Sequence, residues 1–156
     1  MPRIELETEI RAPIEKVFDL ARSIDVHRES QTKHKEIAVA GRTSGLIGKG
    51  ESVTWVATHF GVRQQLTSCI VSMERPRHFR DSMLDGAFKR LDHDHFFETL
   101  SGGHTLMKDI FVYTAPLGLL GVFADVLFLK RYMARLLVER NATLKRFAEA
   151  PASSAP

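Results

Sequence analysis

The residues best suited to chemistry lie in the segment Phe88 to Leu100, FKRLDHDHFFETL. Alternation there sets Leu91, His93, His95 and Phe97 on one face of a strand, with Phe88, Arg90, Asp92, Asp94 and Phe96 on the other. Two imidazoles among apolar neighbours are costly to bury unless their ring nitrogens find partners, and they are useful beside a cavity. The next alternating segment, Thr105 to Tyr113, follows the turn Ser101-Gly102-Gly103, and in such an antiparallel hairpin the odd-numbered residues of both strands share a face. Asp109 is then expected across from His93 or His95, about 5 Å away, where a carboxylate accepts from an imidazole. The pair reads in two ways. It is an acid/base dyad, the carboxylate orienting the imidazole and favouring its charged form, or it is a buried polar pair that fixes strand register or lines a pocket. His93, His95 and Asp109 are therefore the candidate catalytic residues. They could also supply three metal ligands, but no further Cys or Glu stands at ligand spacing, so neither a metal nor a cofactor is expected.

Other residues join this group by strand parity. Asp81 shares a face with Phe79 and Met83, and is either part of the same polar group or an edge residue paired with Arg80 or Arg77. Trp55 and Tyr113 are amphipathic rings able to wall a pocket or to sit as plain core. Leu66, Ser68, Ile70, Phe97, Met107, Phe111, Phe123 and Leu127 supply the apolar complement of a cavity, and periodicity does not separate that role from ordinary core. The loop GRTSGLIGKG, residues 41–50, carries four glycines around Leu46 and Ile47. It reads as a flexible gate with an apolar tip, or as a loop whose tip packs down on a helix.

Several classes of function are excluded. The net charge of +3 is mild, and no cluster of Lys and Arg interleaved with aromatics occurs, so nucleic acid is not an expected partner. Lys130, Arg131, Arg135, Arg140, Lys145 and Arg146 gather near the end of the chain, as a solvated helix face or as a contact for an anionic membrane. The longest apolar run, Leu117 to Leu129, holds Asp125 and is shorter than the roughly 20 residues of a membrane span. One cysteine, Cys69, precludes an internal disulfide, and the start MPRIELETEI has no basic stretch leading into an apolar run, so a reducing, cytoplasmic setting is expected. No GxSxG elbow is present, and GRTSGLIGKGES misses phosphate-loop spacing and leads into a strand.

These residues must be positioned by the elements around them. With 156 residues, 44% hydrophobic and 26% charged, the chain suits one globular domain over residues 1–148, followed by a disordered tail over 149–156. A strand over Ile4 to Ile10 precedes a helix opened by Pro13 and a shorter helix over Asp25 to Ser30. Alternating segments then run over Glu36 to Ala40, Glu51 to Phe60, Val62 to Met73, Phe79 to Leu84, Phe88 to Leu100 and Thr105 to Tyr113, joined by turn residues as in a meander. Beyond Pro116 the spacing predicts about thirty residues of helix, roughly 45 Å long. This is an α+β layout, a curved antiparallel sheet of six to seven strands around a long C-terminal helix, with two short helices after the first strand. A sheet that bends around a helix leaves space that side chains do not always fill.

Over residues 3 to 148 the chain also resembles a known family. The succession GLIGKGESVTWVATHFG, ERPRHFRDSM, GAFKRLDHDHFFE, the TLMKD strand and APLGLLGVFAD before a basic helix ending in RNATLK is similar to the START-like superfamily called SRPBCC. Within it, the chain looks most like the bacterial ligand-binding or polyketide-cyclase-like proteins labelled cell-division-associated. The resemblance implies a helix-grip fold. It leaves activity open, because that superfamily holds lipid carriers, hormone receptors and aromatase/cyclases. The expected function is binding or transport of a small hydrophobic ligand, lipid or aromatic and polyketide-like, between sheet and helix. Two alternatives stand beside it: a cofactor-independent cyclase or dehydratase using the His/Asp pair, and a module that contacts a membrane surface or another protein, with a homodimer left open.

Overall fold

Segments with a two-residue period become strands, and these strands form one sheet. The computed structural model describes residues 1–115 and 128–151. Strands β1 (Arg3–Ile10), β2 (Ile37–Gly41), β3 (Ser52–His59), β4 (Val62–Glu74), β5 (His78–Asp85), β6 (Arg90–Thr99) and β7 (Thr105–Thr114) lie in the order β1-β7-β6-β5-β4-β3-β2. Every pairing is antiparallel. The β3–β4 hairpin closes on Phe60-Gly61, where both residues take positive φ (54° and 72°), the turn sense that suits the twist of the flanking strands. Register shifts at Thr67/Ser68 and Ile70/Ser72 in β4, and at Ala38/Ala40 in β2, add local bend and twist, and the sheet curves.

Strands β1 and β2 occupy opposite edges, so the chain must cross the sheet between them. It does so as α1 (Ile14–Ala21), α2 (Ile24–Ser30) and a short 3-10 turn over Thr32–His34. Pro13 stands at the N-cap position of α1 with extended backbone, and the Ser23 hydroxyl caps α2 by accepting from the Val26 amide at 3.2 Å. Helix α3 (Lys130–Glu149), about 30 Å long at 1.5 Å per residue, packs against α1, α2 and β1. Its buried side chains, Leu137, Arg140, Asn141, Leu144 and Ala148, recur at three and four and form one stripe.

Two expectations need correction. Arg140, counted among solvated cations, is only 6% exposed, because it falls in the same stripe as Leu137 and Leu144. Phe88, placed by parity on the outer face, lies before β6 begins, so parity does not govern it; its ring packs on Tyr113 at 5.5 Å. The contacts of the glycine-rich loop are of the kind expected for a tip that packs down. The Ile24 amide donates to the Gly45 carbonyl, the Ile47 amide donates to the Arg22 carbonyl, and Ile47 is buried while Leu46 remains exposed. The first part of the expected thirty-residue helix, with Phe123 and Leu127, lies outside the described residues, as does the tail beyond 151.

The core is divided. One apolar cluster gathers Ile10, Val17, Phe18, Phe79, Phe97, Met107 and Leu144; the other gathers Ile4, Leu91, Phe111, Tyr113 and Leu137. Between them, at the middle of β6, β7 and α3, come His93, His95, Asp109, Arg140 and Asn141, all buried. Phe18 anchors the first cluster, fully buried with edge-on contacts to Phe79 and Phe97 at 5.5 and 5.2 Å. Phe18→Ala is expected to cost about 3–5 kcal/mol of unfolding free energy with an unchanged denaturant slope, read by urea titration.

Candidate functional site

The antiparallel register of β5, β6 and β7 places two carboxylates around two imidazoles. Asp81 is paired with His93 across β5–β6, and Asp109 with His95 across β6–β7. The hydrogen bonds run along the diagonals, where long side chains still reach. His93 Nε2 lies 2.8 Å from Asp109 Oδ1, and His95 Nε2 lies 2.9 Å from Asp81 Oδ2. His95 Nδ1 is also 3.1 Å from Asp109 Oδ1, and the two imidazoles lie against each other with centroids 3.8 Å apart and planes tilted by 38°.

Asp109 is fully buried, and α3 completes its shell. Asn141 Nδ2 donates to Asp109 Oδ2 at 2.6 Å and to Thr8 Oγ1 at 3.3 Å. Arg140 Nη1 donates to Asp109 Oδ1 at 3.4 Å and to Asn141 Oδ1 at 2.9 Å, while Nη2 donates to the Ala21 carbonyl at 3.2 Å. Burial alone would raise the Asp109 carboxyl; hydrogen bonds from His93 and His95 and the charge of Arg140 outweigh it and hold the group well below the usual carboxylate range. Asp81 is lowered in the same way, its burial outweighed by the His95 hydrogen bond and the nearby positive groups. Burial, reinforced by His95, pushes His93 down to about 4 against the pull of Asp109. Its ring is therefore neutral at pH 7 and donates from Nε2.

This polar group stands at one end of a cavity of about 370 Å³ between the sheet and α3. Of the residues expected from sequence, Trp55, Leu66, Ser68, Ile70, Asp81, His93, His95, Phe111 and Ile47 lie on its wall. Asp109 stands behind His93 and His95, not on the wall. Phe97 and Met107 share the inward face but lie further along their strands, in the core cluster around Phe18. Met83 and Tyr113 pack in the second cluster, and Leu46 is exposed, joined to Ser23 by a single β-bridge. Sequence reasoning missed Arg140 and Asn141, which their helical stripe could have revealed. It also missed His27, Gln31, Glu36, His59 and Tyr132, which line the wall from α2, the chain around it, β3 and α3. His27 packs on Trp55 at 4.4 Å and its Nε2 meets Glu36 Oε1 at 2.6 Å; His59 Nδ1 meets the Tyr132 hydroxyl at 2.6 Å. Burial and the charge of His34 lower His59.

The two imidazoles and Asp81 bring possible ligand atoms within 4.8 Å of one another, a metal set that differs from the one weighed from sequence in using Asp81 instead of Asp109. The Arg140 guanidinium, 3.5 Å from His95 Nδ1, places a fixed positive charge beside that set and opposes a cation there.

Solved structures share the fold that carries this site. A protein from Thermus thermophilus aligns over 93% of this chain and 95% of its own with a TM-score of 0.75 and 19% identity. A START superfamily protein from Mycobacterium smegmatis aligns over 94% and 97%, TM-score 0.71, 12% identity. The chain has the START-like helix-grip fold. Ginseng major latex-like protein 151 from Panax ginseng matches it too, over 96% and 98%, with a TM-score of 0.69 and 14% identity. Neither a protein-family model nor a curated protein matches the sequence. At these identities the likeness is one of helix-grip architecture, and no described helix is long and apolar enough to cross a membrane.

Two outcomes test the polar group of this helix-grip domain. An unfolded His93 takes a proton near 6.5, whereas the folded ring resists until about 4. Between those values the unfolded chain binds more protons, so stability falls as pH drops through the window, by about 3 kcal/mol from this group. The lowered carboxylates add to the loss only further down, below 3.8. Urea unfolding of His93→Asn should show a flatter pH dependence across that window. Arg140→Ala should cost about 3–5 kcal/mol by leaving Asp109 buried and undercompensated, and Arg140→Ala with Asp109→Ala should cost less than the sum, in a double-mutant cycle.

Proposed function

We propose that this protein binds and carries a small hydrophobic molecule, lipid or aromatic and polyketide-like, in the cavity between the sheet and α3. One observation carries the reading: about 370 Å³ of space with mainly apolar walls ends on buried, hydrogen-bonded polar side chains. That volume is at the small end of the range for ligand pockets, about 300–1,000 Å³. Apolar burial supplies affinity, at roughly 25 cal/mol per Å², and Asp81, His93 and His95 orient a polar end. Asp109, Arg140 and Asn141 hold those groups in place.

The enzymatic alternative, a cyclase or dehydratase, is favoured by the His95–Asp81 pair on the cavity wall. His93 is a poor general base at neutral pH, because its imidazole accepts a proton only near 4. Turnover of an aromatic polyketide-like substrate that is lost in His95→Ala while binding persists would establish the enzyme over the carrier. The surface-module alternative loses two of its parts, since Arg140 and Ile47 are buried.

Native mass spectrometry of the purified protein is expected to show a co-purified small molecule at one per chain. Trp55, the sole tryptophan, lies on the cavity wall, so its emission should change on binding. Ser68→Phe, which fills the space beside it, should abolish that change while the protein melts cooperatively. No bound molecule, together with no response of Trp55 to a panel of lipids and polyphenols, would remove the proposal.

A further inference from the structure

We infer that the cavity selects a neutral, hydroxyl-bearing apolar ligand whose hydroxyl donates to the side-chain carbonyl of Gln31, and that it rejects carboxylates and phosphates. This rests on the ligand-binding reading above and narrows its chemistry.

Gln31 follows α2 and lines the cavity with only 5% of its surface exposed. Its Nε2 donates to the Leu136 carbonyl of α3 at 3.4 Å, which fixes the amide with its nitrogen toward the helix. The other end, Oε1, is buried and accepts no hydrogen bond from any described residue. Buried amide oxygens are nearly always satisfied, and one left unpaired in a residue that lines a cavity calls for a donor, which a ligand in that cavity can supply once the amide turns its oxygen toward the space. A hydroxyl supplies that donor. A ketone, ester or carboxylate does not.

The charges around the cavity lead to the same class. Two guanidiniums reach the wall, and both are committed behind it: Arg22 pairs with Asp19 at 2.9 Å and donates to the Ile47 carbonyl, and Arg140 is engaged by Asp109, Asn141 and the Ala21 carbonyl. The two wall carboxylates, Asp81 and Glu36, are held by histidines, His95 and His27, at 2.9 and 2.6 Å. An anionic head group entering here finds carboxylates without an uncommitted cation, and would have to give up its hydration for that setting. Trp55, Gln64 and Ser68 also bring donors to the wall, so what disfavours an anion here is the want of an uncommitted cation, and what favours a hydroxyl is the unpaired Gln31 oxygen.

Three probes of one shape separate the possibilities: pyrene, 1-pyrenol and pyrene-1-carboxylate, titrated at neutral pH with Trp55 emission as the readout. The wild-type protein is expected to bind 1-pyrenol about ten-fold more tightly than pyrene, and the carboxylate at least about ten-fold more weakly than 1-pyrenol. Gln31→Leu and Gln31→Met should each bring 1-pyrenol down to the affinity of pyrene while leaving pyrene itself unchanged, with melting curves confirming the fold of both. Equal affinity of pyrene and 1-pyrenol in the wild type, a hydroxyl preference that survives both substitutions, or tightest binding of the carboxylate would overturn the inference while leaving ligand binding intact. Failure of all three probes to bind while lipids or polyphenols do would overturn this inference alone; failure of the probes together with no co-purified molecule and no Trp55 response to lipids and polyphenols would overturn the ligand-binding reading as well.

Discussion

The structure depends on one fully buried carboxylate. Asp109 takes hydrogen bonds from β6 through His93 and from α3 through Arg140 and Asn141, with His95 Nδ1 also within 3.1 Å. A lone carboxylate at that depth would cost several kcal/mol of lost hydration, so its partners are a condition of folding as much as its consequence. Satisfying it fixes the register of β6 on β7 and the rotation of α3 about its axis. A slip of one residue in β6 would turn the imidazoles outward, a slip in β7 would turn Asp109 outward, and a rotation of α3 would withdraw the guanidinium. The helix is thus held to the sheet by a directional polar contact as well as by apolar packing.

That contact also explains why the core has two apolar clusters instead of one. Inward positions on β6 run Leu91, His93, His95, Phe97, and on β7 run Tyr113, Phe111, Asp109, Met107. Each series passes from one cluster, through polar residues, into the other. On α3 the sequence Leu137, Arg140, Asn141, Leu144 repeats the pattern. A polar layer crossing three elements at one height needs all of its members, because each is buried and each depends on the others for hydrogen bonds.

Much of this is legible from spacing alone. Strict alternation in FKRLDHDHFFETL places His93 and His95 on one inward face, and the short hairpin places Asp109 opposite them. Alternation fixes a face but not a height along the strand, which is why Phe97 and Met107 belong to packed core while Ser68 and Ile70 face the cavity. It also fails where a strand has not begun, as at Phe88. Arg140 escapes because a charged residue is assigned to solvent by type, although its position three after Leu137 and four before Leu144 places it inside. The residues that close the cavity from α2 and the chain around it, His27, Gln31 and Glu36, carry no periodic signal that points to a wall formed by a sheet distant in sequence. The glycine-rich loop reads as mobile because glycine count reports what a backbone is permitted to do, not the hydrogen bonds to Arg22 and Ile24 that hold it.

The apolar part of the cavity wall and the polar anchor come largely from different parts of the chain. Trp55, Leu66, Ser68 and Ile70 belong to β3 and β4, whereas His93, His95, Asp109, Arg140 and Asn141 belong to β6, β7 and α3. Substitutions in the first group reshape the chamber without touching the contacts that hold helix to sheet. A lineage built on this scaffold can therefore change the shape of its chamber through the β3–β4 hairpin, while the machinery that lets it fold stays under separate constraint.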